Sequence, residues 1–302
     1  MNLATMERAT AGIISPVLMT TRLYLQSYRG VPVTLDLWEL MIRWLFKLAF
    51  PASREVAVNA RRLYDAERAR VIPGAPRHDV ELDTLPFRVF YRDMMALSSE
   101  IVGRELDEDA ITRVQARTAR AIENSGRWTI MHAAESADPW LDGEEESLSW
   151  MTDDEKEKFS SKSLSKSEYK EILRDTKRRR TGIKGWARVP TGAETCAWCL
   201  MLCSRGAAYR IGKTVGLSIE VRDFFRYERE GSFDPKEHMH QWHDNCDCKV
   251  VPVFDLDDWD GKDRADALYD MWGDVTAGFS GNDAVNAFRR AVNAGVSFKD
   301  YM

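Results

Sequence analysis

The chain has 302 residues, of which 43 are Lys or Arg and 48 are Asp or Glu, so its formal net charge is −5 at pH 7. Hydrophobic residues make up 44% and charged residues 30% of the chain, a globular composition that excludes disorder along its whole length. The negative balance also argues against a protein that coats DNA through overall basic charge.

The longest apolar run, Leu37 to Phe50, contains three charged residues. It is also shorter than the stretch of about 20 apolar residues that spans a bilayer. The first 22 residues carry Glu7 and Arg8 and no small-residue cleavage site after an apolar core. We therefore expect a soluble chain that is made and kept in the cytoplasm and has no membrane partner.

Residues 1–137 are predicted to form a helical N-terminal domain. Apolar residues recur at three- and four-residue intervals from Leu37 to Phe50, which is typical of an amphipathic helix. We expect Pro51 to end that helix, and Asp107 to cap a later one. Further helices are predicted over three ranges, Ala52 to Val71, Pro86 to Arg104 and Glu108 to Glu135.

Residues 138–184 are predicted to be a charged connection that includes a solvated helix. Seven basic residues and the single acid Asp175 lie between Arg174 and Arg188. The patch is a candidate for contact with phosphate or with an acidic partner. Its residues are Lys177, Arg178, Arg179, Arg180 and Lys184.

The chain changes character after this patch. Short strands are predicted over 185–190 and 249–254, where β-branched residues, Gly and Pro are frequent. Residues 185–254 are predicted to form a Cys/His subdomain, and residues 255–302 an acidic tail ending in a helix over 283–294. The expected fold class is α+β, with a predominantly α-helical N-terminal part and a small C-terminal subdomain containing a zinc knuckle.

All five cysteines lie between Cys196 and Cys248, in a window that also holds three of the five histidines. An odd number of clustered thiols without a secretion signal favours metal ligation over a disulfide framework. Buried structural cysteines would instead be scattered along the chain. Cys203 follows Cys199 by one helical turn and is expected to pack rather than to bind.

Two short motifs give the predicted ligand set. The Cys-x-x-Cys spacing near residue 196 lets both thiols reach one ion, and the Cys-x-Cys pair at the far end enters a strand, where alternate side chains share a face. Thiolates with imidazole suit a closed tetrahedral zinc site. Five candidates compete for four positions, and they are Cys196, Cys199, His243, Cys246 and Cys248.

No catalytic set accompanies these ligands. Glu194 and Glu237 belong to no recognisable acid–base pair. Zinc deaminases place a His-x-Glu before Pro-Cys-x-x-Cys, whereas here the Cys-x-x-Cys comes first. We therefore expect a structural metal and no enzymatic activity.

The Cys-x-x-Cys … His-x-x-Cys-x-Cys pattern resembles the signature of the phage Mu protein F-like (MuF-like) minor head proteins. The Arg-Val-Pro-Thr-Gly run at 188–192 and the residues from Ser204 to Tyr209 are similar to the version in phages of actinobacteria. The resemblance covers Gly185 to Phe254, and Asp244 and Asp247 depart from it where family members often have Pro and Arg.

The resemblance implies a minor capsid protein of a tailed phage that acts in head morphogenesis. It implies a place in the virion, at the portal or in the head interior, with several copies per particle. The implied partners are the portal protein and other capsid proteins, with packaged DNA as a further candidate.

Two alternatives stay open on the sequence. The first is an HNH-like metal-dependent nuclease that would use His238, His240 or His243, although only one Cys-x-x-Cys pair is present. The second is a DNA-binding module that would use the basic patch over 177–184, with affinity that falls as salt rises.

Overall fold

The computed structural model describes residues 1–136, 138, 182–191, 195–209 and 248–302. These residues are mostly helical and include a small sheet of two strands. The helices are α1 (Leu3–Gln26), α2 (Leu35–Val71), α3 (Phe87–Met95), α4 (Ser98–Ile101), α5 (Glu108–Glu135), α6 (Ala197–Cys203), α7 (Lys262–Val275) and α8 (Gly281–Asn293). The strands are β1 (Gly185–Val189) and β2 (Lys249–Val253), and short 3-10 helices cover Gly206–Ala208 and Phe298–Tyr301.

Three long helices, α1, α2 and α5, pack on one another and form the N-terminal helical layer. Each begins at a side chain that accepts a backbone N–H, and the three caps are Asn2, Thr34 and Asp107. Such caps satisfy N–H groups that have no partner inside the helix. The predicted helix over 108–135 and its cap are therefore confirmed, and none of the described helices is long and apolar enough to cross a bilayer.

The expected helix end at Pro51 is wrong, because α2 continues through Pro51 to Val71. A proline inside a helix costs about 3 kcal/mol, since it removes one hydrogen bond and crowds the preceding turn. Here the buried positions continue past it at helical spacing, with Ala49, Ala52 and Val56 each at most 4% exposed. The Ser53 hydroxyl also donates to the carbonyl of Phe50 at 2.7 Å. Burial of apolar side chains on both sides of Pro51 offsets the cost of the proline, so α2 remains one continuous helix.

The helix predicted over 86–104 is divided into α3 and α4. The division falls at Ala96 and Leu97, where the N–H of Leu97 bonds the carbonyl of Met94 in a tight turn. Leu97 is 1% exposed, so the turn carries an apolar side chain into the core. Core packing therefore overrides the local helical pattern at this point.

The two predicted strands are confirmed and pair antiparallel, with Gly185 opposite Val253 and Val189 opposite Lys249. All ten strand residues are buried. The sheet lies against α2 and α5, where the rings of Tyr64 and Phe254 meet edge to face. The described part of the chain thus shares one hydrophobic core, and the sequence-based domain boundaries stay a prediction.

The C-terminal residues were predicted to be an acidic tail with one helix, but they form two helices, α7 and α8. Helix α7 was not predicted. Helices α7 and α8 both pack on α6. Gly261 precedes α7 at φ 105°, and a Cβ at this position would lie 2.6 Å from a methyl group of Val189. The acidic segment before α7 is tied to the N-terminal layer, since the N–H of Leu3 donates to the Asp260 carboxylate and Arg70 pairs with Asp258 at 2.8 Å.

Candidate functional site

Cys196 and Cys199 lie together at the start of α6. Cys196 is the residue before the helix, and its sulfur accepts the backbone N–H of Cys199 at 3.4 Å. Cys196 is exposed and Cys199 is 1% exposed. The local fold therefore turns the chain sharply between the two thiols, as the Cys-x-x-Cys spacing predicts.

Cys248 lies directly before β2 and is fully buried. The Nη1 atom of Arg188, a residue of β1 that is 4% exposed, lies 3.8 Å from the Cys248 sulfur. A guanidinium keeps its charge at every physiological pH, so it is a permanent positive group beside this thiol.

Tyr209 connects the sheet to α6 on the same side of the molecule. Its carbonyl accepts the N–H of Trp186 at 2.8 Å, and its hydroxyl donates to the carbonyl of Leu202 at 2.7 Å. Burial raises the pKa of Tyr209 to about 12, against the positive charges of Arg205 and Arg188. The nearby thiols of Cys203 and Cys248 make smaller contributions to this raised pKa. Tyr209 is therefore a common neighbour of Cys248 and of the last turn of α6.

Lys249 connects the start of β2 to the helical layer. Its ammonium lies 2.7 Å from Glu123 on α5, and the other oxygen of Glu123 lies 2.7 Å from Arg127. Burial alone would raise the pKa of Glu123, but Lys249 and Arg127 outweigh burial and hold that pKa below 4.5. The residue after Cys248 is thus held by a buried ion pair to the bundle.

Two of the five predicted ligands, His243 and Cys246, lie outside the described residues, as do His238 and His240 of the nuclease alternative. Within the described ranges, no three side chains of His, Cys, Asp or Glu form a group that could hold a metal ion. The complete ligand set therefore stays a prediction. Of its members, the structure places Cys196 with Cys199, and Cys248 beside Arg188.

The basic patch also lies mostly outside the described residues. Lys184 is its described member and is exposed. Its backbone N–H donates to the carbonyl of Val253 at 2.8 Å, so it extends the hydrogen bonding of the sheet by one residue. The predicted role of the patch in phosphate contact stays a prediction.

Sequence reasoning missed two contacts near the start of β2. These are the approach of the buried Arg188 to the Cys248 sulfur and the ion pair between Glu123 and Lys249. Arg188 was grouped with the surface basic residues. Its alternation with the apolar Ala187 and Val189 predicts a solvent-facing side chain, so the burial of β1 on both faces is not visible in the local pattern. No local pattern marks Glu123, because its partner Lys249 lies 126 positions further along the chain.

The comparisons with known proteins place this chain among bacteriophage proteins. Residues 144–275, which include β1, α6, β2 and α7, match the model of the family described as VG15 protein. This family was not among the expectations drawn from the sequence.

Two curated relatives extend the similarity beyond that segment. The chain is 28% identical over 249 residues to the Gene 15 protein of Mycobacterium phage D29, which covers 79% of this chain and 74% of the relative. It is 27% identical over 278 residues to the Gene 15 protein of Mycobacterium phage L5, covering 87% and 80%. No solved structure matches the chain. The relatives support a bacteriophage origin.

Proposed function

We propose that this chain is a structural minor capsid protein of a tailed phage that acts in head morphogenesis, at the portal or in the head interior. Two phage proteins similar over most of its length support this proposal. The resemblance of its Cys and His spacing to the MuF-like minor head proteins supports it independently.

The observation that carries the proposal is the apolar surface of the N-terminal helices. Five of the eleven large apolar side chains that are exposed among the described residues lie between Met19 and Leu40. Met19 and Leu23, one turn apart on α1, are 62% and 63% exposed. From residue 9 to residue 21, α1 carries no charged side chain. Such a surface favours contact with another protein, since exposed apolar patches mark interaction sites.

The proposed partners are the portal protein and other capsid proteins, with packaged DNA as a further candidate. A role in assembly needs surfaces and stable shape rather than a catalytic set, so we also propose that the protein is not an enzyme. Several copies per virion would place the same apolar surface repeatedly around one position in the head.

The proposal includes one structural zinc ion held by four of Cys196, Cys199, His243, Cys246 and Cys248. The chemistry of these donors suits zinc, because soft thiolates with imidazole form closed tetrahedral sites. When bound, zinc would supply a fixed link between the start of α6 and the start of β2. A structural zinc site contributes about 10–16 kcal/mol of apparent binding energy, much of which is folding energy.

The virion assignment is tested by mass spectrometry of purified particles of the phage that encodes this chain. We expect its peptides in DNA-filled heads, at far lower amounts than the major capsid protein. Peptides found only in the lysate, and not in purified heads, would contradict a virion role.

The apolar surface is tested in the same phage with the double change Met19→Glu and Leu23→Glu. We expect incorporation into heads to fall strongly while the protein still folds, because both side chains are exposed. Phe279→Glu is the matched control, since Phe279 is also apolar and 51% exposed but lies outside the N-terminal helices. Equal incorporation of the double variant and of Phe279→Glu would contradict the proposal that the surface at Met19 and Leu23 binds a partner.

The zinc site is tested by metal analysis of the purified full-length protein. We expect about one zinc per chain, and release of that zinc on alkylation of the thiols. Protein free of zinc after purification without chelators, and unable to take it up, would remove the metal from the proposal.

A further inference from the structure

A groove with a volume of about 490 Å³ lies between α1 and α2. Its apolar lining comes mainly from Ile13 on α1 and from Phe50 and Val58 on α2, and all three side chains are partly buried. An apolar side chain that packs on such a lining removes more apolar surface from water, which is favourable. The groove is therefore a candidate binding site for apolar side chains of another molecule.

Two arginines of α2 line the same groove. Arg54 follows Phe50 by four positions, and Arg62 follows Val58 by four positions. Residues four positions apart are neighbours on one side of a helix, so this ridge of α2 alternates apolar and cationic side chains at intervals of one turn. The two arginines are about 12 Å apart along the helix axis.

Arg54 and Arg62 differ from the other four arginines of α2. Both are exposed, and neither forms an ion pair with any residue in the described part of the chain. Both can therefore accept a new carboxylate partner, which a guanidinium binds through two parallel N–H donors. The other four already contact a carboxylate or an aromatic ring, and these pairs are Arg61 with Asp65, Arg68 with Asp138, Arg70 with Asp258 and Arg43 with Phe87.

The charge and spacing of the groove indicate the kind of molecule that fits it. Two arginines line it with the single acid Glu55, so its net charge is positive and favours a partner with excess carboxylates. A helical partner presents side chains at the same one-turn intervals as α2. Nucleic acid fits less well, because most contacts to it go to phosphate and sugar, whereas this lining is largely apolar and includes an acid.

We propose that the groove binds an amphipathic helix of another protein, with two carboxylates two turns apart and an apolar side chain midway between them. The carboxylates pair with Arg54 and Arg62, and the apolar side chain packs on Val58. The simplest sequence with this arrangement is Glu-x-x-x-Leu-x-x-x-Glu. Met19 and Leu23 are not part of the groove, so this binding surface is additional to the one in the proposed function.

The experiment uses a synthetic alanine-based peptide that carries this sequence once. A length of about 20 residues is chosen, because much shorter isolated helices are only marginally stable. Its twin has Lys in place of both Glu residues. Binding of each peptide to the purified full-length protein is measured by fluorescence anisotropy. We expect the acidic peptide to bind at least about tenfold more tightly than the twin, which places like charges opposite the arginines, and its affinity to fall as salt rises.

The groove is then tested with the double change Arg54→Glu and Arg62→Glu. We expect this variant to bind the acidic peptide at least about tenfold more weakly than the unmodified protein, and to bind the lysine twin more tightly than the unmodified protein does. The matched control is Arg289→Glu with Arg290→Glu, since both are exposed arginines of α8 outside the groove. The control should bind both peptides like the unmodified protein. Circular dichroism checks that both variants are folded, and Arg54→Gln with Arg62→Gln replaces the first if it is not.

Three results would overturn the inference. One is an acidic peptide that fails to bind, or that binds the unmodified protein and the groove variant equally well. Another is duplex DNA that binds the unmodified protein but not the groove variant, which would assign the groove to nucleic acid. The last is a dimer in size-exclusion chromatography that dissociates in the groove variant, because a second copy of the chain would then cover the groove. None of these results affects the virion assignment, which is tested separately on purified particles.

Discussion

The Nζ atom of Lys249 lies 2.7 Å from a carboxylate oxygen of Glu123, across 126 positions of sequence. This pair joins the first residue of β2 to α5, immediately after Cys248. The sheet is thereby held to the helical bundle by a specific charged contact as well as by apolar packing, and the position of Cys248 depends on both.

Glu123→Gln is expected to destabilise the protein by about 3–5 kcal/mol at pH 7, because it leaves Lys249 and Arg127 without their buried anion. The pKa of Glu123 is held below 4.5, so its contribution is complete above pH 4.5 and is lost as the pH falls from there toward the lower folded-state pKa. The free energy of unfolding in urea, measured from pH 7 to pH 3, checks both points.

A matched control for this change is Asp266→Asn. Asp266 pairs with Lys262 at 2.6 Å on α7, but 60% of its side chain is exposed. An exposed pair contributes little, because water and salt screen the two charges. A loss as small for Glu123→Gln as for Asp266→Asn would show that the buried pair does not hold the sheet.

Glu67→Gln is expected to act in the opposite direction. Burial raises the pKa of Glu67 and outweighs Arg70 and the backbone N–H of Asp260, which both lower it. The carboxylates of Asp260 and Asp258 add smaller contributions that raise it. An ionised Glu67 therefore costs stability at pH 7, and that cost disappears as the pH falls through the raised pKa toward 4.5. We expect the variant to be more stable than the unmodified protein at pH 7 and equal to it near pH 4. A clear loss of stability at pH 7 would contradict this.

Two helical glycines are expected to respond differently to alanine. A Cβ at Gly12 on α1 would meet no atom within 4 Å, so Gly12→Ala should stabilise the protein by about 1 kcal/mol. A Cβ at Gly126 on α5 would lie 3.1 Å from Val56 and 3.2 Å from Ala60, so Gly126→Ala crowds the contact between α2 and α5. We expect a net loss of about 1–2 kcal/mol, measured as a lower thermal midpoint. Stabilisation by both changes would refute the close helix contact.

Gly261 and Gly278 form another matched pair, because both have positive φ, 105° and 80°. Alanine pays the same kind of backbone penalty at both positions, about 1–2 kcal/mol. At Gly261 it would also collide with Val189, whereas at Gly278 no atom lies within 4 Å. Gly261→Ala should therefore be the more destabilising variant, and the added change Val189→Ala should recover part of the difference. Equal losses for the two glycines would exclude the contact.

The helical part of the fold follows from local signals, and its exceptions follow from packing. The sequence predicts the cap at Asp107 and the length of α5 correctly. Helix α2, in contrast, continues through Pro51 because buried residues lie on both sides of it. The burial of charged residues on α2 could not be predicted from the local sequence. Arg61, 1% exposed, donates to the carbonyl of Val80 at 2.7 Å, so an Ala-, Arg- and Glu-rich stretch includes buried cations that hold a loop.

The candidate site was predictable to the extent that its signals are local. The turn between Cys196 and Cys199 and the strand after Cys248 both appear as expected. The surroundings of Cys248 depend on tertiary contacts, since Arg188 reaches its sulfur from a position 60 residues earlier in the chain. The spacing of residues within one segment cannot predict contacts between residues that are far apart in the sequence.

The tie between Leu3 and Asp260 has a consequence for the order in which the molecule is completed. The ribosome makes Leu3 257 positions before it makes Asp260, the residue that accepts its N–H. The bulk of α1 can pack on α2 and α5 as soon as those helices are made, whereas the start of α1 gains its contact with Asp260 only after the segment around residue 260 has been synthesised.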